Sequence, residues 1–496
     1  MSKLEPLSPA AAAFLSRAEN GLFINGVEAP AQSGETIETY DPSTGKVLTR
    51  LASGGADDID RAVVAARAAF EGEWSRWTPY QRQLLLVRAH DHLGANYEEL
   101  AQIESADMGA PITRTRGMKN AVLQMILFFA SQAVNVSGET MQNSLAGNVT
   151  TMTLKSPIGV VGGIIPWNGP LISQWWILGA ALASGCTVVM KPAEDASLSV
   201  LRIAQMLREI GLPDGVVNVV TGKGGVAGAR LAAHPDVDRV AFTGSTSTGR
   251  RIIEASAVNM KRLQLELGGK SPDIILADAD LDKAVPGAAH GVFMNSGQVC
   301  FAGSRVFVQR SIAEEVTERL AAHAAGITVG HAFDGTSQLG PLVSQVQLDR
   351  VMHYINAGPA EGAALAGGGG RPDNAPSEGY YIRPTVFGNV TNDMTIAREE
   401  IFGPVISVIP FDTVEEAITL GNQTEYGLGG AVWSRNIDSA LRVVKSIRTG
   451  TMWVNCYGLI DPMVGFGGVK HSGYGIKGTR NHVEAYLTTK SVYISS

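Results

Sequence analysis

The sequence predicts an α/β protein with two open, doubly wound sheets, and two observations carry that prediction. Short apolar runs at residues 158–165, 187–190, 216–220 and 240–242 recur at a spacing that leaves room for one crossover helix each. A second alternation of the same kind begins at Asp273, with runs at 274–276, 305–308, 405–409, 430–433 and 451–455. Continuous apolar runs suit parallel strands covered by helices on both faces, and a ligand crevice is then expected at the strands' carboxyl ends.

Ahead of the first run, residues 1–55 are polar and turn-rich, with Asp41-Pro42-Ser43-Thr44-Gly45 as a turn between strand-like pieces. Ile59, Ala62, Val63, Ala66 and Phe70 then recur at helical spacing behind Asp57 and Asp58, which suit a helix N-terminus. Two or three further helices are expected before Gln132. In the second half, Thr413-Val414-Glu415-Glu416 is a capping-box pattern opening a helix that stops at Gly421-Asn422. Residues 330–379, rich in Gly, Pro, Ser and Asp, read as surface loop.

Charge argues against a nucleic-acid partner, because 40 Lys and Arg stand against 47 Asp and Glu for a net −7. No run of apolar residues is long enough for a membrane span. Cys186, Cys300 and Cys456 lie too far apart in sequence for a local disulfide framework or metal site. A soluble cytoplasmic protein is the expectation. Its 57 glycines, about 11% against a background near 7%, ask for tight turns or close backbone approaches.

Candidate chemistry sits at strand ends. Thr243-Gly244-Ser245-Thr246-Ser247-Thr248-Gly249 follows a strand and opens a helix, an arrangement able to hold a pyrophosphate. Lys191 and Glu194 lie just past another strand, where both could meet ribose hydroxyls. Gly222-Lys223-Gly224-Gly225-Val226-Ala227-Gly228 is not a strict GxGxxG, and Gly269-Lys270-Ser271 lacks the upstream glycine of a Walker loop, which disfavours a nucleotide hydrolase. Cys300 beside Val299 and Phe301 reads in isolation as a small buried hydrophobe. Glu266 and Asn168 read in isolation as a strand-end carboxylate and a turn residue.

Taken in order, Pro166-Trp167-Asn168, Lys191-Pro192-Ala193-Glu194, Phe242-Thr243-Gly244-Ser245, Leu265-Glu266-Leu267-Gly268-Gly269-Lys270-Ser271-Pro272, Asn295 to Cys300, and Glu400-Ile401-Phe402-Gly403-Pro404 resemble the NAD(P)-dependent aldehyde dehydrogenase superfamily. The resemblance runs from about residue 22 to the end. It implies a cofactor domain at 1–136 and 156–265, a catalytic domain at 266–470, and an arm at 137–155 and 479–496 that pairs subunits into a dimer or tetramer. By resemblance, Cys300 is the nucleophile, Glu266 the general base, and the Asn168 amide with the Cys300 N–H the oxyanion donors. Attack on an aldehyde gives a thiohemiacetal, hydride leaves for the nicotinamide, and a thioester remains for hydrolysis.

The same resemblance assigns cofactor contacts to Ile165, Pro166, Trp167, Lys191, Glu194, Gly224, Gly228, Phe242, Gly244, Ser245, Gly249, Leu267, Gly268, Glu400 and Phe402. Glu194 on the adenosine ribose favours NAD, with NADP possible. It assigns the aldehyde tunnel to Gly169, Ser173, Trp176, Met294, Val299, Phe301, Gly458, Ile460 and Phe466. That lining is mostly apolar, offers no Arg or Lys for a carboxylate, and suits a hydrophobic, bulky or aromatic aldehyde. Three departures from the family pattern stand out: Gly169 where a bulky aromatic is common, Val299 and Phe301 as the flanks of Cys300, and Ile476-Lys477 where many relatives carry Arg-Glu, the glutamate belonging to the proton exit path. Coenzyme-A-acylating relatives generally lack the base that Glu266 supplies, and a non-catalytic lens-protein relative would not need Cys300, Glu266 and Asn168 together.

Overall fold

A computed structural model describes residues 4–373 and 375–496 of the chain. Residues 1–3, at the start of the expected cofactor segment, and Asn374, within the expected 330–379 loop, lie outside the described residues.

The larger of the two open sheets has eight strands, of which five are parallel and neighbours in the order Arg262–Glu266, Arg239–Thr243, Val160–Ile165, Thr187–Pro192 and Val217–Val219. Chain order reverses between the Val160–Ile165 and Arg239–Thr243 strands, so the crossovers leave in opposite directions there and open a crevice at the carboxyl ends. The four strands around that point end at Ile165, Pro192, Thr243 and Glu266. Leu22–Ile24 and Val27–Ala29 close one edge, and Gly473–Tyr474 pairs antiparallel with Leu265 and Glu266 at the other.

The second sheet has seven strands, six parallel, running Thr385–Gly388, Val405–Phe411, Arg305–Gln309, Pro272–Ile275, Ala431–Trp433 and Trp453–Val454, with Ala364–Gly367 antiparallel at the edge. Both sheets bury near-continuous Val, Ile and Leu runs, as two-sided helix cover requires. Thr140–Met141, Val149–Pro157 and Leu487–Ser495 form a separate antiparallel sheet. On it Leu154, Tyr493 and Ile494 are exposed.

Three expectations need correcting. Four helices, Pro79–Ala95, Tyr97–Met108, Ile112–Gly117 and Lys119–Ala133, stand where two or three were expected. The 330–379 segment is not all loop. It contains the helix Gln345–Ala360, capped by Ser344 and buried through Leu348, Val351, Tyr354 and Ile355, and the edge strand Ala364–Gly367. Glycine and proline on both sides hid that helix. A short helix, Pro9–Leu15, also precedes the first strands, with Phe14 and Leu15 buried. No described helix is long and apolar enough to cross a membrane.

Candidate active site

The nucleophile turn follows the helix Leu281–Phe293 and is forced into shape by three consecutive left-handed residues, Asn295 (φ 52°), Ser296 (φ 56°) and Gly297 (φ 73°). Gly297 is required twice over, because a Cβ there would lie 2.0 Å from the Gly403 carbonyl carbon. Non-glycine residues in this conformation are strained, and their side chains stabilise the turn. Asn295 Nδ2 donates to the Asn168 carbonyl at 2.9 Å, and Gln298 Oε1 accepts the Val343 N–H at 2.9 Å. Asn168 Nδ2 donates to the Gln298 carbonyl at 2.8 Å, which uses one of its two amide hydrogens and leaves the other for a ligand.

Glu266 ends its strand directly opposite Thr243. Its Oε1 accepts from Cys300 Sγ at 3.5 Å, while Oε2 is in ion-pair contact with Lys477 and 3.5 Å from Thr243 Oγ1. The carboxylate is therefore within reach of the thiol without rearrangement. Burial, aided by the Glu400 carboxylate, pushes the Cys300 thiol up to about 12, against the opposing pull of the Cys300 and Phe301 N–H groups. Glu400 is itself pushed up to about 7 by burial, although Gly269 N donates to its Oε1 at 3.1 Å.

Cys300, Glu266 and Asn168 open onto one cavity of about 380 Å³. All nine expected tunnel positions line it: Gly169, Ser173 and Trp176 from the segment opening the helix Pro170–Ser184, Met294, Val299 and Phe301 around the nucleophile turn, and Gly458, Ile460 and Phe466 from the carboxyl-terminal loops. The expectation of a lining without cations is corrected, because Arg114 and Lys477 also line the cavity. Arg114, Met118, Ala121 and Met125 recur at four, three and four residues, one face of neighbouring helices, and that periodicity was the signal available for them.

The expected cofactor residues gather along the crevice. Ile165, Pro166 and Trp167 lead out of one strand, and the Trp167 ring stands edge-on to Phe402 with centroids 5.2 Å apart. Lys191 Nζ donates to Glu194 Oε2 at 2.9 Å, and Gly224 N donates to Glu194 Oε1 at 2.8 Å. The ground before them is open: a Cβ on Gly224 or Gly228 would come no closer than 3.7 Å to anything, and one on Gly225 would meet nothing. A carboxylate with a lysine facing glycine-lined space fits a ribose diol. Gly244, Ser245 and Gly249 begin the next crossover, where Ser245 Oγ caps the helix Thr246–Ser256. Gly249 serves packing, since a Cβ there would lie 2.7 Å from Leu267 Cδ2, and Phe242 is buried in the core beneath Gly244. Gly268 is needed for the approach of Glu400, whose Oε2 would sit 2.4 Å from an added Cβ.

Residues 29–492 match the aldehyde dehydrogenase family. The chain belongs to that family. It is 44% identical over 479 residues to the mitochondrial aldehyde dehydrogenase of Homo sapiens, covering 96% of this chain and 92% of the relative. It is 46% identical over 484 residues to aldehyde dehydrogenase family 2 member C4 of Arabidopsis thaliana, covering 95% and 94%. Among solved structures, an NAD+ complex of aldehyde dehydrogenase from Bacillus cereus superposes with a TM-score of 0.96 at 44% identity, covering 99% of this chain and all of that one. Betaine aldehyde dehydrogenase of Staphylococcus aureus in complex with NAD+ gives 0.95 at 35% identity, over 97% and 96%.

Proposed function

We propose that this aldehyde dehydrogenase uses NAD to oxidise a hydrophobic, bulky or aromatic aldehyde to its carboxylic acid through a covalent intermediate on Cys300. The observation that carries the reading is the convergence of a thiol, a carboxylate 3.5 Å from it and a free amide hydrogen on one mainly apolar cavity. Glu266 takes the thiol proton as Sγ attacks the carbonyl carbon, and the C=O π pair becomes an alkoxide. The second Asn168 N–H and the Cys300 N–H receive that charge within a mainly apolar cavity.

Lys191, Glu194, Glu400 and Phe402 hold the dinucleotide, with Glu194 favouring NAD because a carboxylate repels a 2′-phosphate. When bound there the nicotinamide supplies the hydride acceptor. Once the thiol's proton has passed from Glu266 to solvent, Glu266 takes a proton from water in deacylation as the water oxygen attacks the thioester carbon; the C–S bond breaks, its pair returns to Sγ, and the proton on Glu266 passes to that thiolate. The cofactor and catalytic segments, 1–136 with 156–265 and 266–470, follow the two open sheets. Exposed Leu154, Tyr493 and Ile494 support the arm segments, 137–155 and 479–496, as the contact that forms a dimer or tetramer. Three free cysteines and an acidic balance suit a reducing, cytoplasmic setting.

A second reading of the substrate rests on Arg114. Its Nη1 is buried without a partner, so a substrate with an acceptor group remote from the aldehyde would satisfy a donor that an apolar one leaves bare. The test is NADH formation from NAD with benzaldehyde, long aliphatic aldehydes, a carboxylate-bearing semialdehyde and betaine aldehyde. Highest kcat/KM for the apolar aldehydes supports the main reading, and highest for the semialdehyde moves the assignment to the Arg114 reading. Highest for betaine aldehyde overturns both, and NADH only after adding coenzyme A overturns hydrolysis by Glu266.

A further inference from the structure

Lys477 has no place in the chemistry described so far, yet it is buried against the base. The chain brings it there by a short return. Gly473–Tyr474 pairs antiparallel with Leu265 and Glu266, and Gly475 (φ 93°) and Gly478 (φ 76°) turn the backbone on either side of Lys477, whose own main chain pairs with Phe466. Its side chain then reaches the ends of the Arg239–Thr243 and Arg262–Glu266 strands. Nζ donates to Thr243 Oγ1 at 3.0 Å and is in ion-pair contact with Glu266 Oε2. Lys477 and Glu266 are 7% and 6% exposed, so the pair is shielded from water.

We propose that Lys477 is a positioning residue for the general base, holding the Glu266 carboxylate ionised and seated beside Thr243 while Cys300 carries the acyl group. The inference rests on Glu266 being the base of deacylation. A carboxylate in an apolar cavity, with no cation beside it, favours its protonated form and cannot accept a proton from water. A buried ammonium in contact reverses that preference, and removing one partner of such a pair leaves the other charge uncompensated. Burial acts on Lys477 as well, pushing it down to about 7.

Other groups around the pair do not supply the missing cation. The Cys300 thiol faces it from the nucleophile turn and is kept protonated. His482, on the helix Thr479–Glu484, is kept neutral by burial and by the charges of Arg239 and Lys477. Arg239 is turned away, donating to the Ala485 carbonyl and to Gln264 Oε1. Arg114 lines the same cavity, but no ion pair joins it to Glu266 among the described residues.

The test follows hydrolysis of the acyl-enzyme formed from benzaldehyde and NAD, by intact-protein mass spectrometry, over about pH 5 to 9 in Lys477→Met, Lys477→Gln, Lys477→Arg and the parent protein. Rates are taken per acyl-enzyme formed. In the Met and Gln variants the acid-side midpoint should move up by about one unit, so that hydrolysis at the parent midpoint falls roughly fivefold and recovers as pH rises. Lys477→Arg should keep the parent midpoint. A Met or Gln variant with an unmoved midpoint, however slow, overturns the proposal, because a structural role lowers the rate without moving its titration. If neither neutral variant folds, a moved midpoint in Lys477→Arg overturns it and an unmoved one supports it. Glu266→Gln separates the two readings: if it hydrolyses at the parent rate, Glu266 is not the base and both fall. If it does not, an unmoved Lys477 midpoint removes only the present proposal.

Discussion

Cys300 is held as a thiol through neutral pH, since its ionisation is displaced upward to about 12 and the neutral form dominates well below that value. The thiolate fraction should therefore grow about tenfold with each unit of pH and should not level off below the displaced value. Alkylation by iodoacetamide in the absence of cofactor, measured against Cys300→Ser to subtract Cys186 and Cys456, should rise in this way from about pH 7 to 10. A plateau near neutrality would mean that the resting protein already holds a thiolate. Asn168→Ala should lower kcat by about 10² to 10³, as expected for loss of one oxyanion donor, and this is read from steady-state NADH formation. In isolation these residues read as a small buried hydrophobe and a turn residue, and it was the family resemblance of the motifs around them that singled them out. Lys477 was legible only as a departure, because its contact with Glu266 depends on a return of the chain from about two hundred residues further on.

At the scale of elements, strands proved easier to read than helices. The apolar runs around 158–165, 187–190, 216–220 and 240–242 contain or overlap the observed strands, because parallel strands buried on both faces leave an uninterrupted hydrophobic signal. The helix Gln345–Ala360 was missed because its buried positions are diluted by Gly and Pro at its borders, and tertiary packing against the second sheet overrides that composition. Of the capping box expected at Thr413, the first half forms and the second is displaced by one residue. Thr413 Oγ1 accepts the Glu416 N–H at 3.2 Å, and Glu416 Oε2 takes the Asp412 N–H at 2.7 Å. Thr413→Ala should cost about 1 kcal/mol of stability, checked by urea unfolding with an unchanged m-value. An unchanged midpoint would show that the second sheet, not the cap, holds that helix end.

For the whole molecule, the two open sheets bring cofactor crevice and nucleophile together, with Glu266 ending the first and Cys300 lying just before the Arg305–Gln309 strand of the second. The separate antiparallel sheet leaves Tyr493 68% and Ile494 47% exposed on one chain, a cost that a neighbouring subunit would remove. Replacing both with Asp should reduce the particle seen by light scattering toward the 52.3 kDa of one chain. An unchanged mass would remove the arm as a subunit contact. The exposure of this arm was not legible in the sequence, since period-two patterning marks a strand face without saying what covers it.

The central claim is that one carboxylate, Glu266, releases the acyl group from Cys300. Glu266→Gln mixed with NAD and benzaldehyde should give a burst of NADH no larger than the concentration of sites, followed by loss of steady-state turnover, with the thioester accumulating on Cys300. A steady-state rate equal to that of the parent protein, with no acyl-enzyme detected, would contradict the account.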